Sequence, residues 1–154
     1  IQLLSLGCSG NCKMQSYFAD ALVNAPDIDA FIFDSFSNPT IEEIRERLFP
    51  FIEKLQGAHP GKPLIFQHTI YRERRNFDLA TEKNESERMR VVDELMAEAV
   101  KRYKDVYYVT TTNATSPKHD TSVDGTHPGD HGYSLWAESI QKPILKILRK
   151  YGIR

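Results

Sequence analysis

The stretch from residue 30 to residue 66, AFIFDSFSNPTIEEIRERLFPFIEKLQGAHPGKPLIF, decides the fold. It opens on an apolar run, AFIF at 30–33, held between Asp29 and Asp34, and closes on another, PLIF at 63–66. Short apolar runs bounded by polar or turn residues are the pattern of buried strands. Between them Thr40 and Glu43 stand three apart, the spacing of a capping box. Ile41, Ile44, Leu48, Ile52 and Leu55 then recur at helical spacing, so a helix is expected over 41–56. Pro50 should kink or divide it, and Gly57 should end it. A strand, a crossover helix and a second strand in about 30 residues is the unit of a parallel sheet.

The same alternation continues on both sides. Residues 3–6 (LLSL) read as a strand and 14–23 as a short helix. Residues 67–83 form a long polar connection holding Arg72, Arg74 and Arg75; connections of this length without structure of their own are usually functional or mobile. A helix is expected over 86–103, with Val91, Val92, Leu95, Met96, Ala99 and Val100 on its apolar side. Residues 106–109 make a strand, 110–126 a loop, and 130–151 a last helix that Pro143 bends and Gly152 caps. The fold class is therefore α/β, three layers with a mostly parallel, flavodoxin-like sheet.

Length and composition agree with that reading. The 154 residues suit one domain spanning 1–154, and 40% hydrophobic residues are enough for a packed core. Lys+Arg 20 against Asp+Glu 21 leaves a charge of −1, which argues against a nucleic-acid partner. No apolar run approaches the roughly 18 residues of a membrane span. Two cysteines, Cys8 and Cys12, are too few for a disulfide framework; they bridge locally, stay free or line a site. The chain begins on Ile1, inside an apolar run, so it is expected to be the C-terminal portion of something longer.

Ligands of parallel sheets bind beyond the carboxyl ends of the strands, and the residues there carry the chemistry. In Asp124-Gly125-Thr126-His127-Pro128 an aspartate stands three residues before a histidine. It can turn back to accept from the ring Nδ1, fixing the tautomer and leaving Nε2 as a general base; the plain alternative is a solvated loop carboxylate beside a surface histidine. Gly7-Cys8-Ser9-Gly10-Asn11 allows close backbone approach, so its N–H groups can face an oxyanion, though it is also an ordinary turn. It partly mimics the nucleophile-elbow pattern, with Asn11 in place of the last glycine. Asn38 can donate its amide to a developing negative charge, or simply flank the helix after Pro39.

In combination and order these residues resemble the SGNH (GDSL-type) hydrolase superfamily over nearly the whole chain. The resemblance is closest to a bacterial carbohydrate-esterase-like branch, in which "NLGxSGNG" is followed by "D-x-x-x-N" and then "DGTHP". Here the corresponding residues are 4–12, Asp34 with Asn38, and Asp124 to Pro128. The resemblance implies a Ser-His-Asp ester hydrolase with Asp124 and His127 as catalytic residues and with Gly10 and Asn38 forming the oxyanion hole. It implies acyl or acetyl esters of carbohydrates or other small molecules as substrates, and it favours an extracytoplasmic setting.

The family's first block, with its first central strand and nucleophilic serine, has no counterpart before Gly7. A separate N-terminal segment or chain is therefore expected to supply the missing strand, since an unpaired strand edge facing a core is costly. The competing assignment makes Ser9 the nucleophile. The mechanism requires no metal or organic cofactor. His59, His68 and His119 lack ligand-like spacing, so no metal is assigned, while His68 at a strand end is a pocket-lining residue. A catalytically inactive binding domain on the same fold is the alternative function. Nucleotide binding lacks a Gly-rich phosphate loop or Walker lysine.

Overall fold

The computed structural model describes residues 2–110, 118 and 120–154; the expectations for residues 111–117 and for His119 lie outside the described residues. Its sheet has three parallel strands in the order β1 (Phe31–Phe33), β2 (Leu64–Gln67), β3 (Val106–Val109). Phe31 pairs with Leu64 and Leu64 with Val106, so the register sets alternate residues on common faces.

One face, carrying Phe31, Phe33, Leu64, Phe66 and Val106, packs on α2 (Ile41–Ala58) and α3 (Leu79–Arg102). Helix α1 (Ser16–Val23) adds Ala19 to the same core. The other face, with Ile65 and Val109, packs on Ile144, Ile147 and Leu148 of α4 (Asp130–Lys150). The helices thus lie on both faces, giving the three layers that the strand and helix alternation predicts.

Helix α2 begins as its sequence requires. The Thr40 side chain accepts from the Glu43 N–H at 3.2 Å, and the Glu43 carboxylate accepts from the Thr40 N–H at 2.9 Å. Pro50 neither ends nor divides it. The buried face of Ile44, Leu48, Phe51, Ile52 and Leu55 runs straight past the proline, and its burial outweighs one lost backbone bond. Gly57 is likewise inside the helix, which ends a residue later when the His59 N–H reaches the Leu55 carbonyl at 2.8 Å.

Three expectations need correction. Residues 3–6 form no strand: Leu3 is 82% and Leu4 67% exposed, and among the described residues no strand pairs with them. An extended segment becomes a strand only by pairing, which apolar pattern alone does not ensure. Helix α1 starts at Ser16 rather than 14, because Met14 holds a left-handed φ of 56° that no helix residue adopts. The polar connection 67–83 is shorter than expected and structured. A 3₁₀ turn occupies Glu73–Asn76, and α3 begins at Leu79, capped by Asp78, whose carboxylate accepts from the Ala80 and Thr81 N–H groups.

On its far side β1 has no pairing partner among the described residues, and Ile32 on the α4-facing side is 41% exposed. The sheet is therefore open at β1, as a sheet lacking one strand would be. Cys8 and Cys12 are both free thiols.

Candidate active site

The strand ends place the relevant loops together. Asp34, Ser37 and Asn38 follow β1, His68 and Thr69 follow β2, and residues 121–128 lead into α4. In the last of these, the Asp124 carboxylate and His127 meet as their spacing predicts. Oδ2 accepts from the ring Nδ1 at 2.7 Å, while Oδ1 accepts from the backbone N–H groups of Thr126 at 2.8 Å and His127 at 2.7 Å. These bonds, the ring contact first, hold the Asp124 carboxyl well below the usual carboxylate range. Because Nδ1 faces the carboxylate, it carries the proton in the neutral ring and Nε2 is left as the acceptor. The imidazole is 78% exposed, so Nε2 is open to a substrate.

The loop holding this pair is shaped by close backbone packing. Ser122 bridges Pro128 in antiparallel fashion, and the Ser122 hydroxyl donates to the His127 carbonyl at 2.7 Å. The Gly129 N–H donates to the Thr121 carbonyl at 2.8 Å. Gly132 in the first turn of α4 lies against the same carbonyl; a Cβ there would come within 2.5 Å of it. Gly125 takes a left-handed φ of 75° directly beside the Arg74 backbone.

Gly10 and Asn38 are also brought together. Gly10 has a φ of 81°, and a Cβ on it would lie 3.7 Å from Asn38 Oδ1. The turn that presents Gly10 closes through the Asn11 N–H to the Cys8 carbonyl at 2.9 Å and forces Ser9 to a left-handed φ of 42°. Ser9 is exposed, and among the described residues it makes no hydrogen bond to His127. His68 donates from Nδ1 to the Thr69 carbonyl at 2.7 Å and sits half-buried, 6.2 Å ring to ring from Tyr108.

Several residues that organise the site are not evident in the sequence. Arg72 and Arg88 both donate to the Ser37 carbonyl, at 3.0 and 2.5 Å, directly before Asn38. Both also donate to Oε1 of Glu85, at 2.9 and 3.0 Å, and that carboxylate is nearly fully buried. Glu73, 3% exposed, accepts from the N–H of Thr121 at 2.9 Å and from its hydroxyl. The Arg74 N–H donates to the Gly125 carbonyl at 2.8 Å. Three consecutive residues, Arg72, Glu73 and Arg74, therefore brace the Asn38 loop and the Asp124–His127 loop at once. In the sequence, RERR at 72–75 looks like a solvated charge run, and only its place within a long polar connection hinted at more.

Among the described residues no group of three His, Cys, Asp or Glu could hold a metal ion, and no helix is long and apolar enough to cross a membrane. The arrangement offers instead an oriented imidazole and a glycine–asparagine pair at one end of a parallel sheet.

Residues 1–146 match the GDSL-like lipase/acylhydrolase family, and the chain belongs to that family. A crystal structure from Bacteroides ovatus ATCC 8483, of a protein provisionally described as a GDSL-like lipase, is similar to it. It is 32% identical, with a TM-score of 0.82 over 91% of this chain. The match covers 42% of that protein, so this chain spans under half the relative's length. No functionally curated protein matches the sequence.

Proposed function

We propose that this chain carries the acid–base pair and oxyanion hole of an ester hydrolase that acts through an acyl-enzyme. The observation that supports it most is the double hold of Asp124 on His127, which fixes the tautomer and leaves Nε2 as the base. In this reading Nε2 takes the proton of a serine hydroxyl as its oxygen attacks the ester carbonyl. Asp124 orients the imidazolium and stabilises its charge. The Gly10 N–H and the Asn38 amide donate to the tetrahedral oxyanion. The imidazolium then gives its proton to the departing alcohol, and water, activated by the same nitrogen, releases the acid. Small acetyl or acyl esters of carbohydrates are the substrate class.

The serine comes from a strand that adds to the open edge of β1, on a preceding segment or a separate chain. Two further features support such an addition. Ile32 is left exposed beside that edge, and Gln67 Oε1 and Trp136 Nε1 are buried with no hydrogen-bond partner among the described residues. Ser9 is the alternative nucleophile, and a binding domain without turnover is the alternative function. The latter is favoured by the lack of any hydrogen bond from Ser9 to His127 among the described residues.

Fluorophosphonate labelling with peptide mapping tests the reading. An adduct on a serine outside these residues, in a longer form of the protein, supports it with the added strand. An adduct on Ser9 supports hydrolysis with the nucleophile inside this chain. No adduct in either form overturns the hydrolase reading in favour of binding alone.

A further inference from the structure

Beside the Asp124–His127 loop lies an open cavity of about 350 Å³ that the mechanism above does not use. Arg72, Arg74, Arg88, Asn84 and Thr126 line it, with Glu85 as the one carboxylate among its lining residues. Thr126, one of its lining residues, immediately precedes His127 in the chain. The volume falls within the range of small-ligand sites.

The guanidinium groups differ in how they are held. Arg72 and Arg88 are fixed in place, each donating to Glu85 and to the Ser37 carbonyl. Arg88 also donates to Asn84 at 3.2 Å. These contacts use only part of the five N–H donors that each group has. Burial pushes the nearby Asp34 carboxyl above the usual carboxylate range, and the charge of Arg72 draws it partly back. Arg74 is different: its side chain is 60% exposed, and among the described residues it pairs with Asp78 at 3.6 Å. Asp78 is already committed to capping α3. Lining residues with three guanidinium groups and one carboxylate, two of the cations held by short hydrogen bonds and one by a single longer ion pair to Asp78, offer the donors that recognise carboxylate and phosphate oxygens.

We propose that this cavity is a subsite for an anionic group, a carboxylate or a phosphate, carried on the ester substrate. The inference rests on the hydrolase reading for the word substrate, and it narrows the substrate class to acylated anionic sugars or similar acidic esters. A uronic acid or a sugar phosphate would place its charge against Arg74 and Arg88 while its ester lies over His127.

Binding is measured on the intact protein by nuclear magnetic resonance titration with sodium glucuronate, inorganic phosphate and glucose at one fixed ionic strength. Saturable shifts of the Thr126 and Asn84 amides and of the arginine Nε–H signals are expected with glucuronate or phosphate, and none with glucose. Response to glucuronate alone identifies a carboxylate subsite, and response to phosphate alone a phosphate subsite. Arg74→Gln should weaken the binding about fivefold, the scale of one exposed charged contact, and Asn84→Ala serves as a second variant. Equal response to glucose and to the anions, or anion shifts away from Thr126 and Asn84, overturns the proposal. Hydrolysis of 4-nitrophenyl acetate, followed in parallel, reports on the hydrolase reading separately: turnover without anion binding removes the subsite and keeps the hydrolase.

Discussion

Glu73 and Thr121, 48 residues apart in the chain, are joined inside the protein by two bonds into one carboxylate oxygen, from the Thr121 N–H and from its hydroxyl. Both residues are almost wholly buried. The loop bearing Asp124 and His127 therefore hangs from a carboxylate of the 3₁₀ turn Glu73–Asn76. Glu73→Ala leaves a buried amide and a hydroxyl without an acceptor, which costs about 1–3 kcal/mol each at most. A loss of about 2 kcal/mol in urea unfolding is expected, together with a fall in turnover larger than that loss alone would produce. Full turnover in a folded Glu73→Ala variant would show that the loop holds its shape without this tie.

His127→Ala and Asp124→Asn test the proposed base and its orienting partner. Both side chains are exposed, so neither change should lower stability by more than about 0.5 kcal/mol. Turnover of a small acetyl ester by the active form should drop about 10³- to 10⁴-fold in each, while substrate binding changes little. A Tm within error of the parent separates this from unfolding.

The charge state of Asp124 sets an acid limit. Its folded pKa lies below the value of about 3.9 expected of an unfolded aspartate. The ordering it contributes is thus fully present above that value and is lost only as pH falls through the lower, folded one. At pH 4 the loop should keep its native backbone chemical shifts at Gly125 and Thr126. In Asp124→Ala those shifts should already be non-native at pH 7, and recovery of native shifts in that variant would contradict the assignment.

Gly132 sets two effects against each other. Alanine in place of glycine inside a helix gains about 1 kcal/mol of helix propensity. Here its Cβ would stand 2.5 Å from the Thr121 carbonyl and 2.8 Å from Pro128, contacts that force α4 and the loop apart. Gly132→Ala is therefore expected to destabilise the protein and reduce turnover, as calorimetry and an ester assay would show. A raised Tm would mean the loop can yield.

Glu85→Gln keeps the shape of the Arg72–Glu85–Arg88 cluster but removes the charge that two guanidinium groups share. With the side chain 5% exposed, a loss of about 3 kcal/mol or more is expected. The Ser37–Asn38 peptide should become mobile by NMR relaxation. Unchanged relaxation at Asn38 would separate the cluster from that loop.

What the sequence disclosed follows the range of the forces involved. The capping box of α2 and the Asp124–His127 contact link residues three apart, and both are present at the predicted positions. The parallel sheet and its two covered faces followed from alternating apolar segments. Residues 3–6 failed as a strand because pairing is a property of neighbours distant in the chain, and apolar character alone does not supply one. The early start of α3 has a local signal in Asp78, a capping carboxylate that stands inside the polar connection 67–83. The Glu85–Arg72 and Glu73–Thr121 braces connect residues 13 and 48 positions apart, where no spacing rule reaches, and the proximity of Gly10 and Asn38 was expected from family resemblance alone.

The 121–128 loop is tied down by carboxylates and carbonyls rather than by side chains sunk into the sheet's apolar layers. Such ties open at a lower free energy than a packed core. Warming or mild urea should therefore release the loop while the strands stay protected from hydrogen exchange. Under the hydrolase reading, turnover would then fall silent before the chain melts, and its working temperature would be set by a handful of polar bonds around Thr121 and Gly125 rather than by the phenylalanines beneath them.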